Sequence, residues 1–317
     1  MTPFLHDHRD FEGLLRIVAG RRGLDPALVE KDYWITHTLW ALQSTGFELW
    51  LKGGTSLSKG FALIERFSED LDLRVDPGTV KGAPAAADWK RDGRIRIARR
   101  SDYFSFLART IAVPSARIEM ETGVVDPRAR TADYRVLYPG RFLGGLRPPF
   151  RPYVLLEVGR ARVEPWVERP IGSFVHEHVG DQGIMQEFRE NRPSRLRCVH
   201  PLVTLVEKID AIARGFRREP FEPRRFVRHY EDAARIILAG DTLPPSGTDT
   251  ADLVREMLSS RDIRDLPSPA APALMIPHDD RSRALRDAHA AIGPMFWGAR
   301  MTLDESAASI RDWLVRI

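Results

Sequence analysis

The chain has a single cysteine, Cys198, in 317 residues, so no intrachain disulfide can form. That rules out a disulfide-stapled scaffold and makes a reducing cytoplasm the expected home. No run of ~18 apolar residues occurs, so no membrane span is expected. The opening segment, MTPFLHDHRDFEG, lacks the basic-then-apolar layout of a signal peptide. There are no internal repeats, no low-complexity tract and no G-x-S-x-G turn. The histidines show no metal-ligand spacing: His176 and His178 merely alternate, and His6 and His8 fall in an N-terminus expected to be loose. Lysine is also scarce. Of 48 basic residues only Lys31, Lys52, Lys59, Lys81, Lys90 and Lys208 are lysines; the rest are arginines, set against 44 acidic residues for a net charge of +4. Arginine suits phosphate and carboxylate forks, yet interleaving with acids fits a coding bias as well as a nucleic-acid partner. Where arginine is the default cation, a retained lysine points mildly to a specific task.

Hydrophobic content of 43% and charged content of 29% are those of a globular protein with room for one large or two modest domains. Residues 25–43 predict a helix, with Asp25 as cap, Pro26 in the first turn and a stripe of Leu28, Trp34, Ile35, Leu39 and Leu42. Residues 47–52 predict a short strand broken by Gly53-Gly54. Residues 55–67 resume a helical pattern, and 70–75 (DLDLRV) alternate as a second strand. The Pro/Gly/Ala stretch 77–87 is a loop and 88–111 a helix. Strands are expected at 116–121, 133–138 and 153–158, with a Pro/Gly/Arg loop at 139–152. From about residue 200 the pattern turns helical, at 200–216, 224–240, 252–260, 280–292 and 303–317. The expected class is α+β, with a domain of strands and helices over 1–190 and a helical domain over 191–317.

The chemistry concentrates in residues 51–73. Asp70 and Asp72 alternate with Leu71 and Leu73, so both carboxylates share one face of the strand. Two such carboxylates repel unless a cation sits between them, and Mg²⁺ favours one or two carboxylates completed by substrate phosphates. On its own the pair also fits a solvent-facing edge. Before it, Gly53-Gly54-Thr55-Ser56 ends a strand and opens a helical turn, leaving backbone amides and two hydroxyls to cradle phosphate. A phosphate holder followed closely by a metal holder suits in-line attack on a nucleoside triphosphate.

Gly53-Gly54-Thr55-Ser56 followed by Asp70-Leu71-Asp72-Leu73 resembles the signature of the DNA polymerase β-like nucleotidyltransferases. More narrowly, EKDYWITHTLWAL, LKGGTSLSKGF and ERFSEDLDL resemble the AbiEii family, toxins of type IV toxin–antitoxin and abortive-infection systems that include the MenT enzymes. The resemblance implies a polymerase β-like core, a mixed sheet flanked by helices, followed by a helical domain that completes the active site. It implies a cytoplasmic enzyme that moves a nucleoside monophosphate from an NTP to an acceptor, using Mg²⁺ or Mn²⁺. The acceptor it implies is the 3′ end of tRNA, whose modification blocks translation in growth control or phage defence, with an antitoxin encoded nearby as partner. Transfer to a protein or small molecule, and a non-catalytic nucleotide- or nucleic-acid-binding module, are the alternatives. A third carboxylate is expected on a neighbouring strand; Glu157 is the favoured candidate, with Glu119 and Glu121 as rivals and an ion pair to Arg160 as the plain alternative. PLVTLVEKIDAIARGF and RHYEDAARI match the family's later motifs at Lys208 and Asp232. Lys208 would hold the triphosphate, and Asp232 would position Lys208 or orient the acceptor, unless it only pairs with Arg228 four residues before it. Arg66 and Ser68 match R-x-S-x-D and join Gly53, Gly54, Thr55 and Ser56 as nucleotide-binding candidates, with Lys59 either reaching a phosphate or facing solvent. Glu30-Lys31-Asp32 match E-K-D, with fixing their helix to the core as the plain alternative. The stretch Lys90–Arg100 and the loop 139–152 are where RNA phosphates are expected.

Overall fold

The computed structural model describes every residue except Met1, Glu69, 85–88, Lys90, 123–125 and Pro149. It is α+β, and it divides into two compact units, both discontinuous in sequence. One holds Met1–Leu51, Glu69–Arg160 and Glu168–Arg197; the other holds Lys52–Ser68, Ala161–Val167 and Cys198–Ile317.

The first unit contains helices α1 (Phe11–Arg22), α2 (Pro26–Thr45), α3 (Arg94–Thr110) and α4 (Phe174–Asp181). Its strands are β1 (Glu48–Leu51), β2 (Asp70–Asp76), β3 (Arg117–Met120), β4 (Thr131–Leu137) and β5 (Val154–Gly159). Two further strands, β6 (Trp166–Arg169) and β7 (Leu196–Val199), contain points where the chain passes between the units. The sheet order is β3-β4-β5-β2-β1-β7-β6. Strand β2 pairs antiparallel with β1 and parallel with β5, so the sheet is mixed. Alternation in β2 is strict: Leu71, Leu73 and Val75 are buried, while Asp70, Asp72, Arg74 and Asp76 are half-buried on the other face. The apolar face continues through Tyr134, Val136, Leu156 and Val158. Two tyrosines tie α3 to the sheet: the Tyr103 hydroxyl donates to the Val75 carbonyl (2.6 Å) and that of Tyr134 to the Phe104 carbonyl (2.9 Å).

Helix α2 starts where its cap predicts, with the Asp25 carboxylate accepting the Ala27 amide at 2.8 Å, and ends at Gly46 in a left-handed conformation. Beyond its apolar stripe it buries Glu30, Lys31 and Asp32 as well, at 1%, 1% and 4% exposure. Each of these charges is tied to backbone. Glu30 accepts the amides of Arg141 (2.7 Å) and Phe142 (2.9 Å). Lys31 donates to the carbonyls of Arg151 (2.9 Å) and Tyr153 (3.0 Å). Asp32 accepts the amide of Phe174, the first residue of α4, at 2.9 Å. Glu30 and Lys31 thus clamp both ends of the irregular loop that leads into β5. The N-terminus, expected to be loose, is packed instead: Phe4, Leu5 and His6 are buried, and His6 Nδ1 lies 2.8 Å from the Tyr33 hydroxyl. Aromatic stacking of Phe4 and His6 on each other and against the rings of α2 outweighs the freedom of a chain end.

The second unit contains α5 (Pro201–Arg217), α6 (Arg228–Ala239), α7 (Thr250–Ser259), α8 (Asp280–Ala291) and α9 (Leu303–Arg316), close to the five predicted segments. Side-chain caps set several starts: His200 for α5, Asp249 for α7, Asp279 for α8 and a Thr302–Glu305 capping box for α9. Helix α6 packs against α5 and α9, and its Tyr230, Ala233 and Ala234 are buried. The helix predicted at 55–67 is shorter than expected. A helical turn at Gly53–Thr55 passes into a π-helical turn at Ser56–Gly60 and stops. Ala62 then takes a positive φ of 52°, the Phe67 amide bonds the Met295 carbonyl (2.9 Å), and Arg66 is drawn into a buried ion pair. Tertiary partners override the helical pattern there. No helix among the described residues is long and apolar enough to cross a membrane.

Replacing Lys31 by Met strands two carbonyls beneath the loop. Urea denaturation should show a loss of about 2–3 kcal/mol; an unchanged midpoint would contradict the clamp.

Candidate active site

In the first unit the parallel ladder sets β2 against β5 with Asp72 opposite Glu157 and Asp70 opposite Leu155. The antiparallel ladder of β4 and β5 sets Asp133 opposite Glu157. Residues paired in register share a face, so Asp72, Glu157 and Asp133 form a row across three adjacent strands, with Asp70 one pleat away from Asp72. Burial, and then the negative charges of Asp70, Asp72 and Asp133, push the Glu157 carboxyl up to about 8, and it shares a hydrogen bond with Asp72. Asp133 is raised too, by burial first, against the opposing charge of Arg151. The alternatives for Glu157 have other partners: Arg160 pairs with Asp76, Glu121 with Arg135, and Glu119 with Arg117 at 2.8 Å. Among the described residues no set of three or more His, Cys, Asp or Glu is arranged to cage a metal ion. The row nevertheless suits a divalent cation bound partly by substrate. Its carboxylates repel, one of them retains its proton near neutral pH, and a positive charge would relieve both.

The second unit gathers the other predicted residues. Gly53 has φ of 65°, which favours glycine. Gly54 is constrained differently: a Cβ there would lie 2.8 Å from Arg66 Nη2 and 2.8 Å from Ser68 Oγ. Glycine is required at 54 because those two side chains occupy the space against the turn. Thr55 and Ser56 are buried, and the Ser56 hydroxyl has no hydrogen-bond partner among the described residues. Such an orphan is costly unless a ligand satisfies it. Lys59 and Ser68 are half-buried. Lys52, just before the glycines, is held by Glu207 of α5 at 2.7 Å.

Lys208 and Asp232 meet. Asp232 is fully buried, and its two oxygens accept Arg66 Nε (2.7 Å) and Nη2 (2.6 Å), while Lys208 Nζ donates to Oδ2 at 2.6 Å. Burial alone would raise the Asp232 carboxyl, but Arg66 and Lys208 hold it far below the usual carboxylate range. The remaining Arg66 nitrogen, Nη1, donates to the Phe67 carbonyl (2.8 Å). Arg66 is thus a buried partner of Asp232, and Arg228 turns to the Arg225 carbonyl (3.0 Å) instead of pairing with Asp232. Lys208 is lowered from the ordinary lysine value by burial, with Asp232 opposing and Arg66 and Arg228 reinforcing.

The chain matches, over residues 40–308, the family described as Nucleotidyl transferase AbiEii toxin, Type IV TA system. It belongs to the AbiEii family. Membership makes it a nucleotidyltransferase toxin of the type IV toxin–antitoxin class, with an NTP as substrate and an antitoxin as partner. No protein with a curated description matches it. Among solved structures it is similar to JHP933 from Helicobacter pylori, at 15% identity over 92% of this chain and 94% of that one, with a TM-score of 0.37. Within this AbiEii chain three residues escaped sequence reasoning. Asp133 was readable only as one polar position in an alternating strand. Lys52 carried the same signal as Lys208, a lysine retained among arginines. His229 stands 3.4 Å from Lys208 Nζ, inside the RHYEDAARI run but without any spacing to mark it.

Two outcomes follow from this geometry. Glu157 takes up a proton on folding between the ordinary carboxyl value and about 8, so stability falls as pH rises through that window. Glu157→Gln removes the penalty. In EDTA it should be more stable than the parent at pH 8, by about 1–2 kcal/mol after allowance for solvent screening, and no more stable at pH 4. Equal melting at pH 8 would refute the raised carboxyl. Gly54→Ala should cost about 1–3 kcal/mol in urea, and a neutral result would show that Arg66 and Ser68 yield freely.

Proposed function

We propose that this chain transfers a nucleoside monophosphate from an NTP to an acceptor hydroxyl at the 3′ end of tRNA, releasing pyrophosphate and blocking translation. The observation that carries the reading is the in-register pairing of Asp72 with Glu157 on two interior strands, with Asp70 on the same face of β2. Asp70, Asp72 and Glu157 would hold Mg²⁺, or Mn²⁺, which supplies charge neutralisation of the phosphates when bound. Glu157, ionised beside the bound cation, would receive the proton of the acceptor hydroxyl. Gly53 and Gly54 offer backbone amides to the triphosphate, Thr55 and Ser56 offer hydroxyls, and Lys208 offers charge. Lys59 and Ser68 flank them. Asp232 positions Lys208, and Arg66 fixes Asp232.

The glycine turn and the aspartate strand are close in sequence. Lys52 follows the last residue of β1, and Ser68 stands two residues before Asp70. The tRNA acceptor is supported by the family resemblance and by exposed arginines at both expected places: Arg91, Arg94 and Arg99 in and before α3, and Arg141, Arg147 and Arg151 in the loop. Within the first stretch Lys90 lies outside the described residues, as Pro149 does in the second. Arg100 is buried, bonded to Asp92 at 3.1 Å.

The test is incubation with each α-labelled NTP and total cellular RNA. Label should appear at tRNA 3′ ends, and Asp72→Asn should lower incorporation about a hundredfold or more. Label on protein or on a small molecule would replace the acceptor. Undiminished growth arrest by Asp72→Asn in cells would remove catalysis from the account.

A further inference from the structure

A second concentration of charge in the first unit has no part in the carboxylate row. Asp92, just before α3, faces three arginines. It accepts Arg100 Nη2 at 3.1 Å and Arg130 Nη2 at 2.9 Å, and lies 3.6 Å from Arg128 Nε. All four residues belong to that unit. Local structure holds the arginines in place. Arg100 is fully buried in α3 and also donates to the carbonyls of Arg91 (3.1 Å) and Arg96 (3.4 Å). Arg128 and Arg130 stand on a turn braced by Asp126. Its carboxylate accepts both their amides, at 3.0 and 2.6 Å, and its carbonyl accepts the Ala129 amide at 2.8 Å. Three guanidiniums against Asp92 and Asp126 leave one positive charge in surplus, and Asp126 is spent on backbone. Two N–H donors of the cluster, Arg100 Nη1 and Arg130 Nε, are buried without an acceptor. Guanidinium forks of this kind match the oxygens of a phosphate better than one shared carboxylate does. The cluster is open to solvent on one side, since the side chains of Arg128 and Arg130 keep 63% and 41% exposure.

We propose that Arg128 and Arg130, backed by Arg100, bind a phosphodiester of the acceptor RNA, and that Asp92 occupies their forks in its absence. The inference rests on the RNA acceptor of the reading above and adds where the strand is gripped. Arg130 directly precedes β4 and stands three residues before Asp133, so the cluster lies roughly 10 Å along the strand from the carboxylate row. A nucleic-acid strand spans that distance within a few nucleotides, so one strand can engage both places. As the phosphate displaces Asp92 from Arg128 and Arg130, it meets the unfilled Nε donor of Arg130, while the carboxylate keeps Arg100. Asp92 therefore weakens RNA binding and keeps the arginines ordered when no RNA is present. Contacts of this kind go to the backbone and fix register without reading sequence. The same forks suit a phosphate of the NTP, and the test separates the two sources.

The experiment measures binding of fluorescently end-labelled bulk tRNA to the full chain, without NTP, from about 50 to 200 mM salt. Arg128→Gln, at an exposed side chain, should melt like the parent and weaken binding about threefold or more at the low-salt end. It should also lower the slope of log K against log salt by about one. Arg128→Glu should weaken binding further. Asp92→Asn, whose amide oxygen still accepts from Arg100, should bind tRNA more tightly than the parent when assayed below its melting temperature. Unchanged affinity and slope in both Arg128 variants overturn the site. Equal or weaker binding by folded Asp92→Asn overturns the role given to Asp92. A raised KM for NTP with tRNA affinity unchanged assigns the phosphate to the nucleotide and overturns the RNA assignment. The two readings fail separately. A parent that labels RNA while the Arg128 variants bind it unchanged refutes the site alone. A parent that binds tRNA through Arg128 but transfers no nucleotide refutes the nucleotidyl-transfer reading alone.

Discussion

The register of β2 against β5 is the constraint on which the first unit's chemistry depends. A parallel ladder admits no half-steps: a slip of one residue turns every side chain to the opposite face. The apolar residues Leu71, Leu73 and Val75 on one strand and Leu156 and Val158 on the other must all reach the core. With that face fixed, Asp72 and Glu157 are carried opposite each other on the reverse face. Hydrophobic burial therefore supplies the free energy that forces like charges together. The raised Glu157 carboxyl is the electrostatic consequence of that enforced proximity in a half-buried setting.

The second unit solves the opposite problem. One of its buried carboxylates, Asp232, is oversupplied with positive charge, with both oxygens held by the fork of Arg66. Arg66 comes from the stretch after the glycine turn, so the same ion pair that steadies Lys208 also ends the helical turn early and packs against Gly54. Glu207 and Lys208, neighbours on α5, reach Lys52 and Asp232 respectively. One helix thus fastens the chain before the glycines and, through Asp232 and Arg66, the chain after them. The glycine at 54 is explained as much by this packing as by access for a phosphate.

A similar economy appears in Glu30, Lys31 and Asp32. Three consecutive charges on a buried helix would be ruinous without partners. Each instead caps irregular backbone: the loop before β5, or the start of α4. They act at a distance from the carboxylate row, by setting where β5 begins and hence where Glu157 stands.

Much of this was legible beforehand. Strand alternation placed both aspartates on one face, Asp25 marked the start of α2, and the AbiEii likeness picked out Lys208 and Asp232 among many similar charges. Local rules sufficed there because period and capping are properties of a few adjacent residues. Other features needed the folded chain. The length of the turn after Gly54, the buried N-terminus, the partner of Asp232 and the row completed by Asp133 all depend on residues far apart in sequence. Arg66 and Asp232 are separated by 166 positions, and no periodicity links them. Sequence alone determined which groups were available and which face each would occupy on its own element. Tertiary structure decided which of them met, because burial of the apolar faces selects the pairing and the charges must accept the neighbours it brings.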